Sequence, residues 1–178
     1  MNETVQPHGF VTKGIHWLSA GLIGFGYLKG LDSVSQLADP NVLQFEVVYA
    51  MALGALFLVR LFWTKRIAGA TRLPESAPHW EHIASRAVHM GLYASVFGII
   101  GTGLLIALGF TTPVLSGLFL TFALGAHELM LSVMPILLAS HVAGALWHKV
   151  VRRDGILESM TGRFVPRSVI SGSGESDV

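Results

Sequence analysis

Two histidines bracket an apolar stretch in the second half of the chain. His127 and His141 lie fourteen residues apart in the segment HELMLSVMPILLASH. On a helix this spacing would separate the two imidazoles by about 21 Å and leave them within about 40° of the same face. Imidazole in an apolar segment is costly without a partner, so both residues are candidates for a site. A single metal ion could not bridge them, because metal–nitrogen bonds are about 2 Å long.

The composition indicates where such a segment would lie. Of 178 residues, 52% are hydrophobic and 13% charged, whereas about a quarter of the residues in a soluble domain are charged. This balance predicts a membrane protein. Cysteine is absent, which excludes thiolate-bound iron–sulfur clusters, covalent haem attachment and disulfides. Any metal would be held by His, Met, Tyr or carboxylate side chains.

The distribution of apolar residues predicts an all-α integral membrane protein, a four-helix bundle. A membrane-spanning helix needs about 20 mostly apolar residues. Four such spans are predicted, at about residues 14–31, 42–63, 87–111 and 125–151. Proline cannot continue a helix, so a break is expected at Thr111–Pro113, followed by a short interfacial segment over Val114–Leu124. The bundle would occupy residues 1–158, and residues 159–178 are predicted to be a mobile polar tail.

Lysine and arginine predict the orientation of these spans. Of the 12 basic residues, only Lys29 falls on the other side of the predicted membrane from the rest. Positive charge concentrates on the cytoplasmic side of membrane proteins. Both termini, and the connection between the second and third spans, are therefore expected to be cytoplasmic.

Depth in the membrane suggests a partner for one of the two histidines. His16 lies near the start of the first span, and His141 lies near the end of the fourth. Both would be in the cytoplasmic half, so the two can meet. Two histidines on facing helices are a common way to hold haem b in a bundle, and stacked haems would fit the separation of His127 from His141. The alternative is that each histidine merely hydrogen-bonds a neighbouring helix.

Several short motifs add a family resemblance to this reading. They are IHW at Ile15–Trp17, LVRLFW at the end of the second span, HMGLY at the start of the third and the paired histidines of the fourth. Together they resemble the bacterial cytochrome b561 family, related to the cytochrome b subunits of hydrogenases and formate dehydrogenases, over roughly residues 10–155. The resemblance implies an inner haem held by His16 and His141. It also implies an outer haem held by His127 and a histidine of the second span.

The second span departs from the family pattern. Glu46 stands where the resemblance places the second ligand of the outer haem, and no histidine lies between His16 and His79. Three outcomes are open: no outer haem, with a polar contact between His127 and Glu46; a haem bound by His127 alone; or a weak sixth ligand. The candidates for that ligand are Glu46, Tyr49 and Met51.

Further polar residues lie near the cytoplasmic ends of the predicted spans. The resemblance implies quinone exchange there, and His89 and His148 could hydrogen-bond a quinone. Arg60 and Arg86 could bind haem propionates, since guanidinium pairs well with carboxylate. The alternative is that these side chains simply reach water at the interface. His79 and His82 are predicted to lie in the loop between the second and third spans, and both, like His8, are predicted to be surface residues.

The resemblance implies a haem b electron-transfer protein of the bacterial inner membrane. Its expected partners are lipid, quinone and a protein redox partner or larger membrane complex, and not nucleic acid. Some members of the family are linked to superoxide–quinone chemistry, so an enzymatic role is left open. The alternative is a non-enzymatic anchor or accessory subunit of a redox or photosynthetic complex, with one functional haem or none.

Overall fold

The computed structural model of the chain describes residues 9–31, 33–68, 73, 77–112, 117–153 and 156–162. This part is helical and contains no strand, as predicted. The α-helices are α1 (Phe10–Lys29), α2 (Pro40–Trp63), α3 (His79–Thr111), α4 (Leu118–Trp147) and α5 (Ile156–Thr161). A 3₁₀ turn, Val34–Ala38, precedes α2, and single π-helical turns extend α2 to Ala68 and α4 to Arg152. The predicted surface residue His8 lies outside the described residues.

Three of the described helices are long and apolar enough to cross a membrane. They cover Pro40–Arg66, His79–Thr111 and Leu118–Arg152, with mean hydropathies of 2.0, 1.9 and 1.9. Helix α1 has 20 residues but is less apolar, because it carries two lysines and a histidine among its glycines. The helical membrane protein is therefore confirmed. The fourth span and the cytoplasmic placement of both termini stay predictions.

The third long helix begins earlier than the sequence predicted. Helix α3 starts at His79, so His79 and His82 lie in its first turns, and placing them in a loop was wrong. Glu81 also lies in the first turn, where the positive end of the helix dipole favours a carboxylate. His79 remains exposed, as predicted, but His82 is half-buried.

The connection between α3 and α4 is shorter than predicted. The helix does end at Thr111, and Thr112 has extended backbone angles of −124° and 105°. Gly117 has a φ of 73°, which glycine adopts without steric cost, and α4 follows at once from Leu118. The interfacial segment predicted over Val114–Leu124 is therefore wrong from Leu118 onward. Helix α4 continues through Pro135.

The long helices run antiparallel in sequence order, and α3 and α4 form the most extensive pair. Among the described elements, α4 packs most extensively against α3. A buried layer across the middle of the bundle consists of Leu53, Phe57, Val96, Ile100 and Met134. This layer separates the two ends of the bundle, where the polar side chains lie.

The C-terminal segments are hydrogen-bonded to the first turns of α1 and α3. Lys13 is buried and its Nζ donates to the carbonyl oxygen of Gly162 at 3.0 Å. Ser159 in α5 is also buried, so the predicted boundary at residue 159 falls inside a packed helix. Residues 163–178 of the predicted tail lie outside the described residues.

Arg152 neutralises a buried acid. Its Nε and Nη2 donate to Glu81 Oε1 at 3.0 and 2.6 Å, and the Glu81 side chain is only 3% exposed. Replacing Arg152 with alanine should lower the free energy of unfolding by about 1–3 kcal/mol, because a buried carboxylate loses its partner. Thermal unfolding in detergent measures this change. Arg153→Ala, next to it and exposed, is the control; an equal loss in both variants would contradict the pairing.

Candidate functional site

Four nitrogen-bearing side chains meet at the end of the bundle where α1 and α3 begin and α2 and α4 end. This group, His16, Arg60, His89 and His141, is called the histidine cluster below. The ring centres of His16 and His141 are 6.2 Å apart, so the structure brings the predicted pair together. His89 lies closer still to His141, with ring centres 5.0 Å apart and ring planes at 85°.

The helices place these side chains by simple periodicity. Seven residues make about two turns of a helix, so His127, Met134 and His141 form one stripe along α4 that faces the interior. Met134 is only 1% exposed and separates the two histidines. On α3, His89 Nδ1 lies 2.6 Å from the carbonyl oxygen of Ser85, one turn earlier. Since a carbonyl only accepts, Nδ1 of His89 carries the proton.

The distances within the histidine cluster identify which pair suits a metal. Two imidazoles that bind one metal from opposite sides have ring centres about 6 Å apart, since each metal–nitrogen bond is about 2 Å. His16 and His141 match this separation, whereas His89 and His141 are too close and contact each other directly. The described residues contain no group of three or more metal-binding side chains. A two-histidine pair therefore suits a macrocyclic iron centre such as haem, which supplies the remaining ligands itself.

Arg60 contributes a positive charge to the cluster. Its Nη2 lies 2.9 Å from His16 Nδ1, and the guanidinium lies 5.7 and 5.9 Å from the ring centres of Phe57 and Tyr93. Arginine only donates, so His16 accepts through Nδ1 in this arrangement. A carboxylate would compete for Arg60 and free the histidine to bind a metal through the other nitrogen. A haem propionate is such a carboxylate, which supports the predicted role of Arg60.

Two other predicted residues lie apart from the cluster. Arg86 is exposed on α3, and within the described part of the chain no contact joins it to the cluster. Its proposed role toward a propionate therefore has no geometric support. His148 is half-buried in the π-helical turn, about two turns or 10 Å along the helix from His141.

A cavity of about 320 Å³ lies at the opposite end of the bundle. It is called the distal cavity below, and its lining includes His127, Glu46 and Lys29. Glu46 forms an ion pair with Lys29, so the two side chains balance each other's charge. His127 Nδ1 lies 2.9 Å from Thr102 Oγ1.

This arrangement bears on the alternatives left open for the outer site. The predicted contact between His127 and Glu46 is replaced by a separate partner for each. Met51 is 61% exposed and does not line the cavity. The Tyr49 hydroxyl donates to the carbonyl oxygen of Leu22. Among the described residues, the cavity offers no second imidazole to bind a metal with His127. Glu46 is paired with Lys29 through one carboxylate oxygen.

Some partners in these sites were not found from the sequence. Ser85 lies one turn before His89, and that spacing could have pointed to it. Thr102 and Tyr93 carried no such signal, because they reach His127 and Arg60 from other helices. Lys29 stood out as the exceptional basic residue, but its pairing with Glu46 depends on how α1 and α2 pack.

Comparison with known proteins covers almost all of this architecture. The family model of the prokaryotic cytochrome b561 matches residues 8–163, a range that includes the four long helices, the histidine cluster and the distal cavity. No curated protein and no solved structure matched the chain. The family implies a bacterial multi-pass membrane protein that binds haem b and transfers electrons, in agreement with the paired histidines. The chain belongs to the prokaryotic cytochrome b561 family.

Proposed function

We propose that the chain is an electron-transfer protein of the bacterial inner membrane that binds one haem b between His16 and His141. It exchanges electrons with quinone near the cytoplasmic face. The observation that carries this proposal is the 6.2 Å separation of the two imidazole rings. That separation suits axial ligation from facing helices. Bound haem would supply a one-electron redox centre.

The protein side chains would hold and shield this centre. His16 and His141 would bind the iron, and Arg60 would pair with a propionate. Phe57 and Tyr93 pack beside Arg60 and form an aromatic contact with ring centres 5.9 Å apart. Together with the buried middle layer they exclude water from one side of the site. Exclusion of water strengthens the electrostatic interaction between Arg60 and a carboxylate.

His89 and His148 are the proposed quinone contacts. His89 carries its proton on Nδ1, held by the Ser85 carbonyl, which leaves Nε2 able to accept a hydrogen bond. The hydroxyl group of a reduced quinone is a suitable donor. His148 lies on the same stripe of α4, toward the end of the bundle where the basic residues concentrate. A quinone entering from that end would meet both side chains.

Haem content and quinol oxidation test this function. The purified protein should contain one haem b per chain, and an added quinol should reduce it. His89→Phe should slow that reduction by about fivefold while leaving the haem content unchanged, because one hydrogen bond is worth about 1 kcal/mol. His79→Ala, exposed at the start of α3, is the matched control.

Two outcomes would count against the proposal. Protein without haem would contradict the electron-transfer role. Haem that no quinol reduces and no quinone oxidises would instead favour the accessory or anchor subunit, in which the haem is structural. This alternative is kept because the chain has Glu46 in the distal cavity, where the family resemblance places a histidine.

A further inference from the structure

The distal cavity has the size and lining of a ligand site. Its volume of about 320 Å³ lies within the range of about 300–1,000 Å³ typical of small-molecule sites. Most of its lining is apolar, including Ile23, Leu43, Ile99, Leu104, Leu124 and Leu131. Leu31 and Val34 also line it and are 39% and 41% exposed. The cavity is therefore accessible beside the end of α1 to an apolar molecule from the bilayer.

Hydrogen bonding fixes the protonation of His127 toward this cavity. The Thr102 hydroxyl donates its one hydrogen to the carbonyl oxygen of Gly98 at 2.6 Å, so it can only accept from His127 Nδ1. His127 therefore carries its proton on Nδ1, and Nε2 presents a lone pair. Within the described residues, Nε2 has no hydrogen-bond partner.

Glu46 provides a second acceptor on the same cavity. Lys29 is paired with Oε1 of Glu46, and the described residues offer no hydrogen-bond partner to Oε2. The ammonium group offsets the loss of water around the carboxylate. Paired in this way, Glu46 presents Oε2 as an acceptor.

The tyrosine hydroxyls of the cavity are already committed. Tyr27 donates to the carbonyl oxygen of Leu131 at 2.8 Å, and Tyr49 donates to that of Leu22. The Lys29 ammonium, the other donor on the lining, is paired with Glu46 and lies 4.6 and 5.6 Å from the ring centres of Phe45 and Tyr49. Among the described lining side chains, the polar atoms left without a partner are acceptors, His127 Nε2 and Glu46 Oε2. A ligand that satisfies them must be apolar and must bring its own donors.

These residues do not fit a second haem with two histidine ligands. The position that would supply the second imidazole is a carboxylate held by Lys29, and no other imidazole lines the cavity. We propose that the distal cavity binds a lipid-soluble hydroquinone instead. Its aromatic ring lies between the apolar walls, and its hydroxyl groups donate to His127 Nε2 and Glu46 Oε2.

This assignment predicts a preference between redox forms. A hydroquinone has two hydroxyl donors, whereas the oxidised quinone has only carbonyl acceptors. Two acceptors facing each other gain nothing and leave the buried polar groups of the protein unpaired, which costs free energy. The cavity should therefore select the reduced form. The site is separate from the proposed quinone contacts at His89 and His148, and it does not depend on them.

Anaerobic binding of decyl-ubiquinol and decyl-ubiquinone to the full-length haem protein in nanodiscs tests the proposal. The reduced probe should bind at least about tenfold more tightly than the oxidised one. His127→Leu and Glu46→Gln should each weaken binding of the reduced probe by about tenfold. The first removes an acceptor, and the second replaces the free carboxylate oxygen with an amide NH2 donor while the amide oxygen still faces Lys29. Met51→Leu, exposed on the same helix as Glu46, should leave binding unchanged. Unaltered haem content shows that each variant is folded.

Three results would overturn the assignment. The first is equal binding of the two redox forms. The second is binding that survives His127→Leu and Glu46→Gln but disappears in His89→Phe, which would place the probe at the histidine cluster. The third is two haems per wild-type chain, one of them lost in His127→Leu, which would show that haem occupies the distal cavity. If electron exchange at the histidine cluster were lost while binding in the distal cavity was unchanged, that result would contradict the function proposed above and would leave this assignment intact.

Discussion

Replacing His141 with alanine is expected to leave the purified protein almost without haem b. His141 faces His16 with ring centres 6.2 Å apart, and the described residues contain no larger metal-binding group that could take over. The haem-to-protein ratio should fall from about one to near zero, because an axial ligand is lost from a site that has only two. The reduced visible spectrum and a haem extraction assay measure the loss.

Neighbouring variants make this result specific. Ser140→Ala changes the adjacent exposed position and should keep the haem. His16→Ala should lose it, whereas His89→Ala should retain it, because His89 lies too close to His141 for a metal to fit between them. Added imidazole should restore part of the signal in His141→Ala by filling the vacated position. An unchanged spectrum in His141→Ala would refute the ligand assignment.

Placing a histidine in the second helix should have the opposite effect on haem content. The double variant Lys29→Leu, Glu46→His is expected to bind two haems per chain. Glu46 and His127 line the same cavity, so the new imidazole would restore the missing ligand pair. Lys29 is changed together with Glu46, because an ammonium group left without its carboxylate would be costly in an apolar cavity.

Haem content and a redox titration measure this gain. Two haems in different surroundings should give two separate reduction steps where the wild type gives one. Met51→His is the matched control, since position 51 is 61% exposed and a histidine there would point away from the cavity. A haem content that stays at one per chain would show that the distal cavity differs from a haem site by more than the missing histidine.

The agreement between prediction and structure depends on the kind of signal. The pairing of His16 with His141 was predictable, because depth in a membrane helix follows directly from position in the sequence. The starts of α3 at His79 and of α4 at Leu118 were not predictable. The length of an apolar run does not reveal helical turns made of polar or interfacial residues. Glu81, in the first turn of α3, pairs with Arg152 from the π-helical turn that follows α4, a contact that the sequence did not indicate.

The two ends of the bundle show the same difference between what the sequence determines and what helix packing decides. By itself, the sequence determined that the chain is a helical membrane protein of this family, that His16 and His141 are the candidate ligands, and that Glu46 stands where a histidine is expected. These properties follow from composition, spacing and residue type, which are local. Only the tertiary structure decided that Lys29 holds Glu46, that Thr102 sets the protonation of His127 and that Arg60 contacts His16. These contacts join residues on different helices, so they depend on how the helices pack.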